Sequence, residues 1–493
     1  MTRGRSDERL AWLLRVNRML GGESRFRSAR RFAAAFRLGN AGALSPSQVT
    51  RWETAQTSVN GAVIERYENL LGLPQHSLST AHEAAATFLD GPVAPNRRVG
   101  GVDHGLHELL ERACGRSDMR SGDWRRLTGL ISDRLDLVLH PPDLWRDITG
   151  ALLDELVVSQ HDAWFARQEA MNKLMAHPAS APHAIAVCTE MADDVHNPVF
   201  IEPISLLDAA NHPVANSYVA QELREPRNKH SMQGALLAAT SKLRRGHYSL
   251  EQRMRLAESI DDLHRSHAGH PVVGPLLDDV FAVLSCGRSQ SSPHATDALA
   301  RRLAEDATSR IAVPMENADR MLSQLIAEAL FSRNSDACLY AAGLIGATPY
   351  RVPVANAVAN AVKQRAHSRD ELFVERGLRL LTRLRTTDHQ TLVSQFLQDP
   401  TATAHSRHAA VLAAGHSTGP LGEPVWRTIT HQQLALFTTR PSALDADILR
   451  GLVYSVGTAG HDRLLAELVT HPSVPTQIRR LALWWQANGV RDS

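Results

Sequence analysis

Residues 45–74 read SPSQVTRWETAQTSVNGAVIERYENLLGLP. Ser45 is a good N-cap residue, and Pro46 follows it at the first helical position, where a missing N–H costs nothing. A short helix is therefore expected from Pro46 to about Thr54. Val49 and Trp52, spaced i and i+3, give it one apolar face, while Ser47, Gln48 and Arg51 occupy the other. Beyond a polar turn, Val63, Ile64, Tyr67 and Leu71 recur at helical spacing and mark a second, more apolar helix that closes near Gly72. The second helix reads as a support that holds the first up against something.

The residues before this stretch say what that something is. A helix is expected from about Glu8 to Leu20, stopped by Gly21-Gly22, and another from Ala29 to Leu38, capped by Ser28 and carrying Phe32, Ala33 and Phe36 on one face. Residues 1–51 hold eleven arginines against Asp7, Glu8 and Glu23, a balance of +8; since the whole chain is only +2, the remainder is −6. A basic head on a slightly acidic body is the electrostatic footprint of nucleic-acid binding. The arginines are interleaved with Leu10, Leu13, Leu14, Phe32 and Phe36, so the head is expected to be folded rather than a basic tail.

A short helix cradled from behind can place its first turn in a major groove, where Gln reads adenine and Arg reads guanine with paired hydrogen bonds. Ser47, Gln48 and Arg51 are expected on base edges. Arg27, Arg30 and Arg31, with Ser45, Thr57, Ser58 and Asn60, are expected on phosphates, where contacts fix register without reading sequence.

These residues carry a resemblance. The run Gln48-Val49-Thr50-Arg51-Trp52-Glu53, followed by an apolar helix ending in Leu71-Gly72-Leu73, is similar to the recognition helix and next helix of the XRE (Cro/phage-repressor) family of helix-turn-helix regulators. Glu53 stands where that family closes its recognition helix with Glu, and Phe32-Ala33 where it has Leu-Ala in helix two. The spacing departs from the pattern: about six residues more separate Phe32-Ala33 from the recognition helix, and the GGESRFR connection before helix two is long. The resemblance covers residues 8–74. It implies sequence-specific binding to double-stranded DNA.

The 493 residues are 43% apolar and 22% charged, too long for one core, and helical spacing of Ala, Leu and Arg without hairpin signals points to an all-α chain. The expected division is a DNA-binding domain over 1–90, a Pro- and Gly-bearing linker over 91–103 and a helical body over 104–493. In the body, amphipathic segments are separated by breaks at His140-Pro141, His177-Pro178, His212-Pro213, His270-Pro271, Asp399-Pro400 and His471-Pro472. This pattern resembles HEAT or armadillo repeats, and the C-terminal HPSVPTQIRRLALWWQ, with Ile478, Leu481, Ala482 and Trp485 on one face, is its best instance. The proline spacing is irregular, so the α-solenoid expectation rests on helix density more than on period.

Chemistry is hard to find. Gly415-His416-Ser417-Thr418-Gly419 fits a nucleophile elbow in letters only, because that motif needs a strand before the serine and a helix after it. None of the four lysines, Lys173, Lys229, Lys242 and Lys363, follows a glycine, so no phosphate-cradling loop is present. His264, His267 and His270 read as a solvated helix end in preference to a metal site, and Asp193-Asp194 and Asp278-Asp279 as solvated carboxylates. Cys114, Cys188, Cys286 and Cys338 are far apart and fit a reducing compartment. No segment reads as a signal peptide or membrane span. The expectation is a non-enzymatic cytoplasmic, nucleoid-associated transcriptional regulator without cofactor or metal. It would act as a homodimer on a palindromic operator, with the body serving oligomerisation or a protein or small-molecule effector. The alternative is a HEAT-like interaction scaffold that only tethers itself to DNA without reading sequence.

Overall fold

The computed structural model describes residues 5–36, 44–90, 104–115, 119–194, 196–267, 270, 273–285, 293–311, 320–366, 370–386, 389–399, 401–416, 421–439 and 441–489. Among the described residues every regular element is helical and none is a strand, as the composition and spacing predict.

The N-terminal helices begin and end where local chemistry dictates. α1 (Arg5–Val16) runs on into a π turn, Asn17–Gly21, and a 3-10 turn, Ser24–Arg27, leads to α2 (Ala29–Ala35). Then come α3 (Pro46–Glu53), α4 (Gly61–Leu71) and α5 (Ser77–Asp90). Ser28 caps α2 by accepting from the Arg31 amide, and Ser45 caps α3 by accepting from the Gln48 amide at 3.2 Å. Gly72 ends α4 in the left-handed region, φ 64°, where a glycine costs least. The start of α5 is capped from α4: the buried Glu68 carboxylate accepts from the amides of His76, Leu78 and Ser79. The expected C-terminal part of the second helix, beyond Phe36, lies outside the described residues.

The chain divides into two compact units, Met1–Asp90 with Ser292–Ser493, and Gly91–Ser291. The expectation set the break between head and body; the contacts instead join the head to the C-terminal part and divide residues 104–493 between the two units. The expected linker, 91–103, lies outside the described residues.

In the first unit the C-terminal helices are α16 (Pro293–Ser309), α17 (Arg320–Phe331), α18 (Ser335–Gly346), α19 (Arg351–Arg365), α20 (Glu371–Leu384), α21 (Gln390–Gln398), α22 (Ala404–Gly415), α23 (Glu423–Thr439), α24 (Ala443–Thr458), α25 (Asp462–Thr470) and α26 (Thr476–Asn488), the ten helices between α5 and α16 belonging to the other unit. Alternate helices stack as α18, α20, α22, α24 and α26, each paired with the helix before it, which is solenoid-like layering. α26 buries Ile478, Leu481, Ala482 and Trp485, the face read from the sequence. The stack does not begin at α18. α5 packs on α18 and α1 packs on α5, so two helices of the head extend the same line. Trp12 stacks on Tyr350, Phe88 on Tyr340, and Arg9 pairs with Glu328 at 2.7 Å.

The second unit holds α6 (His104–Cys114), α7 (Ser121–Ser132), α8 (Leu144–Val158), α9 (His161–Ala176), α10 (Ala181–Asp193), α11 (Ile201–Ser205), α12 (Pro213–Arg224), α13 (Lys229–Arg244), α14 (Leu250–His267) and α15 (Val273–Leu284). Its core is built on Trp124, Trp145, Met171, Ile185 and Leu236. The His-Pro breaks are real helix ends here: His177 closes α9, and His212 caps α12 with Pro213 in its first turn. Of the carboxylates expected in solvent, Asp193 is exposed, where it accepts from Tyr218 and Arg227, whereas Asp279 is buried.

Candidate nucleic-acid interface

The head is assembled around one aromatic cluster. Phe32 of α2, Phe36 just after it, Trp52 of α3 and Tyr67 of α4 lie within 4.7–6.5 Å of one another's ring centroids in five pairs. Val49 is fully buried and Trp52 is 7% exposed, so the inner face of α3 is held by α1 and α2, with Tyr67 of α4 set against Trp52. Each buried aromatic ring contributes roughly 1.5–3 kcal/mol by area alone. That burial turns the opposite face outward: Ser47, Thr50, Arg51 and Thr54 are exposed.

The last residue of α3 is fixed from α1's side. Arg18, in the π turn, donates from Nε and Nη2 to the two oxygens of Glu53 at 2.6 and 2.7 Å. Its Nη1 donates to the carbonyls of Phe26 and Arg27 at 2.9 and 2.6 Å. Tyr67 completes the carboxylate, donating to Glu53 Oε1 at 3.0 Å. Burial alone would favour a neutral Arg18, but the adjacent carboxylate outweighs it and the guanidinium pKa rises. Burial first, and the Glu53 charge second, push the Tyr67 hydroxyl pKa up. The residues at positions 18, 53 and 67 thus form a closed buried network that the sequence reading placed only in part, through Glu53.

The eleven arginines of residues 1–51 separate into groups. Arg18, Arg9 and Arg25 are neutralised by Glu53, Glu328 and Glu23. Arg3 and Arg37 lie outside the described residues. Arg5, Arg15, Arg27, Arg30, Arg31 and Arg51 are exposed, and none makes an ion pair among the described residues. Arg30 and Arg31 sit in the first turn of α2, with no acidic residue there. A helix N-terminus disfavours positive charge, by about 0.3–1 kcal/mol per residue. These two side chains therefore cost the fold something and make no ion pair among the described residues.

The neutral members of the expected set are placed differently. Gln48 is half-buried, and its Nε2 donates to Thr57 Oγ1 at 3.2 Å. Ser45 is occupied by its cap and lies 2.9 Å from the Ser47 hydroxyl, while Asn60 caps α4 by accepting from the Val63 amide at 3.0 Å. Ser58 is exposed. The structure thus brings Ser47, Gln48 and Arg51 onto one short helix packed against α2, with Arg27, Arg30 and Arg31 at the entry to α2, and gives Ser45, Thr57 and Asn60 work inside the fold.

The catalytic alternatives gain no geometry. Among the described residues no three His, Cys, Asp or Glu side chains converge as metal ligands. His416 is tucked against Tyr454 and Ser417 lies outside the described residues. No described helix is long and apolar enough to cross a membrane.

No protein-family model matches the chain, and no curated protein matches it. Among solved structures it is similar to one described as the crystal structure of an engineered protein, with 13% identity over 78% of this chain and 99% of that one. The TM-score is 0.21, a superposition too loose to inform fold or function.

Proposed function

We propose that the protein is a sequence-specific regulator of transcription that binds double-stranded DNA through α3 in the manner of XRE-type helix-turn-helix proteins. One observation carries this reading: four of the six exposed arginines without ion pairs among the described residues, Arg27, Arg30, Arg31 and Arg51, lie on α3, on α2 and on the turn leading into α2, and two of them are set against the α2 dipole at a cost to the fold. Such a cost is balanced when the charges meet phosphate. In this reading Arg51 and Ser47 contact base edges, Gln48 joins them by releasing Thr57, and Arg27, Arg30 and Arg31 fix the register. One short helix reads too few base pairs for operator specificity, so two copies on a palindromic site are required. The stacked helices provide the surface for that pairing or for an effector.

The engagement of Ser45, Thr57 and Asn60 inside the fold favours a second reading, a helical scaffold tethered to DNA by charge alone. Recovery of bound DNA across the genome separates the two. A sharp palindrome supports the regulator; diffuse enrichment that vanishes steeply with salt supports the tether.

A further inference from the structure

The π turn Asn17–Gly21 faces two ways. Successive side chains on a helical turn point in different directions, and here Asn17 and Arg18 reach different partners. Asn17 Nδ2 donates to the carbonyl of Ala347 at 3.0 Å, the residue that closes α18. Arg18 grips Glu53 at the end of α3 and the carbonyls of Phe26 and Arg27 just before α2. Gly21 abuts the turn between α18 and α19, where a Cβ would lie 3.0 Å from Pro349 Cγ. Gly22 abuts α4, where a Cβ would lie 2.6 Å from Leu71 Cδ2. One irregular turn therefore touches the first corner of the C-terminal stack and both charge-bearing segments of the head. π turns interrupt helices at a cost and are enriched at functional positions.

We propose that this π turn is a relay: the packing of the turn at residues 347–350 sets the placement of α3 against α2, so that an event on the C-terminal stack changes how the head presents Arg51 relative to Arg27, Arg30 and Arg31. A rigid tether between independent domains would not need a guanidinium that binds α3 and the approach to α2 at once. Asn17 and Arg18 are positioning residues in this scheme, and the coupling is reciprocal by thermodynamic linkage. Its regulatory meaning rests on the DNA-binding reading; its physical content does not.

The test is hydrogen exchange read by mass spectrometry on the full chain, comparing wild type with Asn17→Ala and Gly21→Ala. Amides of residues 48–54 should exchange about ten-fold faster in both variants, equivalent to about 1.4 kcal/mol, with residues 404–458 unchanged as a control for global unfolding. Glu53→Gln should in turn speed exchange over residues 345–354 by more than over residues 404–458. Faster exchange confined to residues 5–22 and 341–350, with α3 protected as in wild type, overturns the relay. If either single variant unfolds the chain, Glu328→Gln, which loosens α1 from α17 at a partly exposed pair, is scored by the same criterion. Absence of any DNA binding by wild type would sink the proposed function and leave this experiment decisive for the relay. If wild type binds its site, Asn17→Ala should weaken that binding about ten-fold; unchanged affinity removes the regulatory role.

Discussion

Gln48 donates its side-chain amide to Thr57 Oγ1 at 3.2 Å, whereas Arg51, three residues on, is exposed and makes no ion pair among the described residues. These two of the three base-reading candidates therefore start from unequal positions. Gln48 must give up a bond worth about 1 kcal/mol before it can pair with adenine, and Arg51 gives up nothing. Arg51→Ala should cost about 1–3 kcal/mol of discrimination at one base position, and Gln48→Ala about 1 kcal/mol less. Competition binding between the operator and single-base variants measures both. Equal losses on operator and random DNA for Arg51→Ala would remove it from the base edge.

Arg30→Ala should act in two directions. Binding should weaken on all sequences alike, and the slope of log K against log salt should fall by about one phosphate contact. The free protein should become slightly more stable, by about 0.3–1 kcal/mol, because a positive charge leaves the α2 N-terminus. Salt titrations and urea melts on the same preparation check the pair of effects.

Removing one member of the buried ion pair should be costly. Glu53→Gln leaves Arg18 without its counter-charge and should destabilise the first unit by about 3–5 kcal/mol, while Tyr67→Phe should cost about 1–3 kcal/mol. Replacing the pair together, as Arg18→Met with Glu53→Leu, should recover much of the loss. Urea denaturation followed by Trp fluorescence reads these differences, with Trp12 and Trp52 both within the affected region.

A fragment ending at Asp90 should not fold as an independent domain. It would expose the faces of Trp12 and Phe88 that rest on Tyr350 and Tyr340, and would strip Arg9 of Glu328. The expected outcome is an aggregating or partly unfolded fragment by circular dichroism and light scattering; a cooperative melt like that of the full chain would show the head to be self-sufficient.

His416 gives the protein an acid-sensitive element. Burial first, and the charge of Arg385 second, hold its imidazole neutral, with the pKa lowered to about 4. The unfolded chain takes up that proton near pH 6.5. Between about pH 6.5 and 4 the unfolded state therefore binds more protons than the native state, and stability falls as the pH falls through that window. His416→Gln should flatten this part of the pH–stability profile, with the wild type losing more on acidification.

The local structure of the head was legible because its signals are local. Ser28, Ser45-Pro46, Gly21-Gly22 and Gly72 mark helix ends by chemistry that acts within three or four residues, and Val49, Trp52 and Tyr67 declare inner faces by spacing. Asn60 was legible as polar but not as a cap, since the same amide serves either purpose. What was not legible is the joining of the head to α18 and α19. Trp12 and Tyr350, or Asn17 and Ala347, are paired by topology across hundreds of residues and leave no spacing signature. The irregular proline period has a similar origin: α9 and α25 end at a histidine before proline, but most helices of the stack end otherwise.

The placement of α1 and α5 at the head of the C-terminal stack has a consequence for the order of biosynthesis. Glu328 lies 319 residues beyond Arg9, a delay of roughly 15–60 s at ribosomal rates of about 5–20 residues per second. Throughout that interval the nascent N-terminus carries its aromatic flank uncovered, and α3 is fixed only from within the head. The packing that covers α1 and α5 is therefore completed only late in translation, once α17 to α19 have been made.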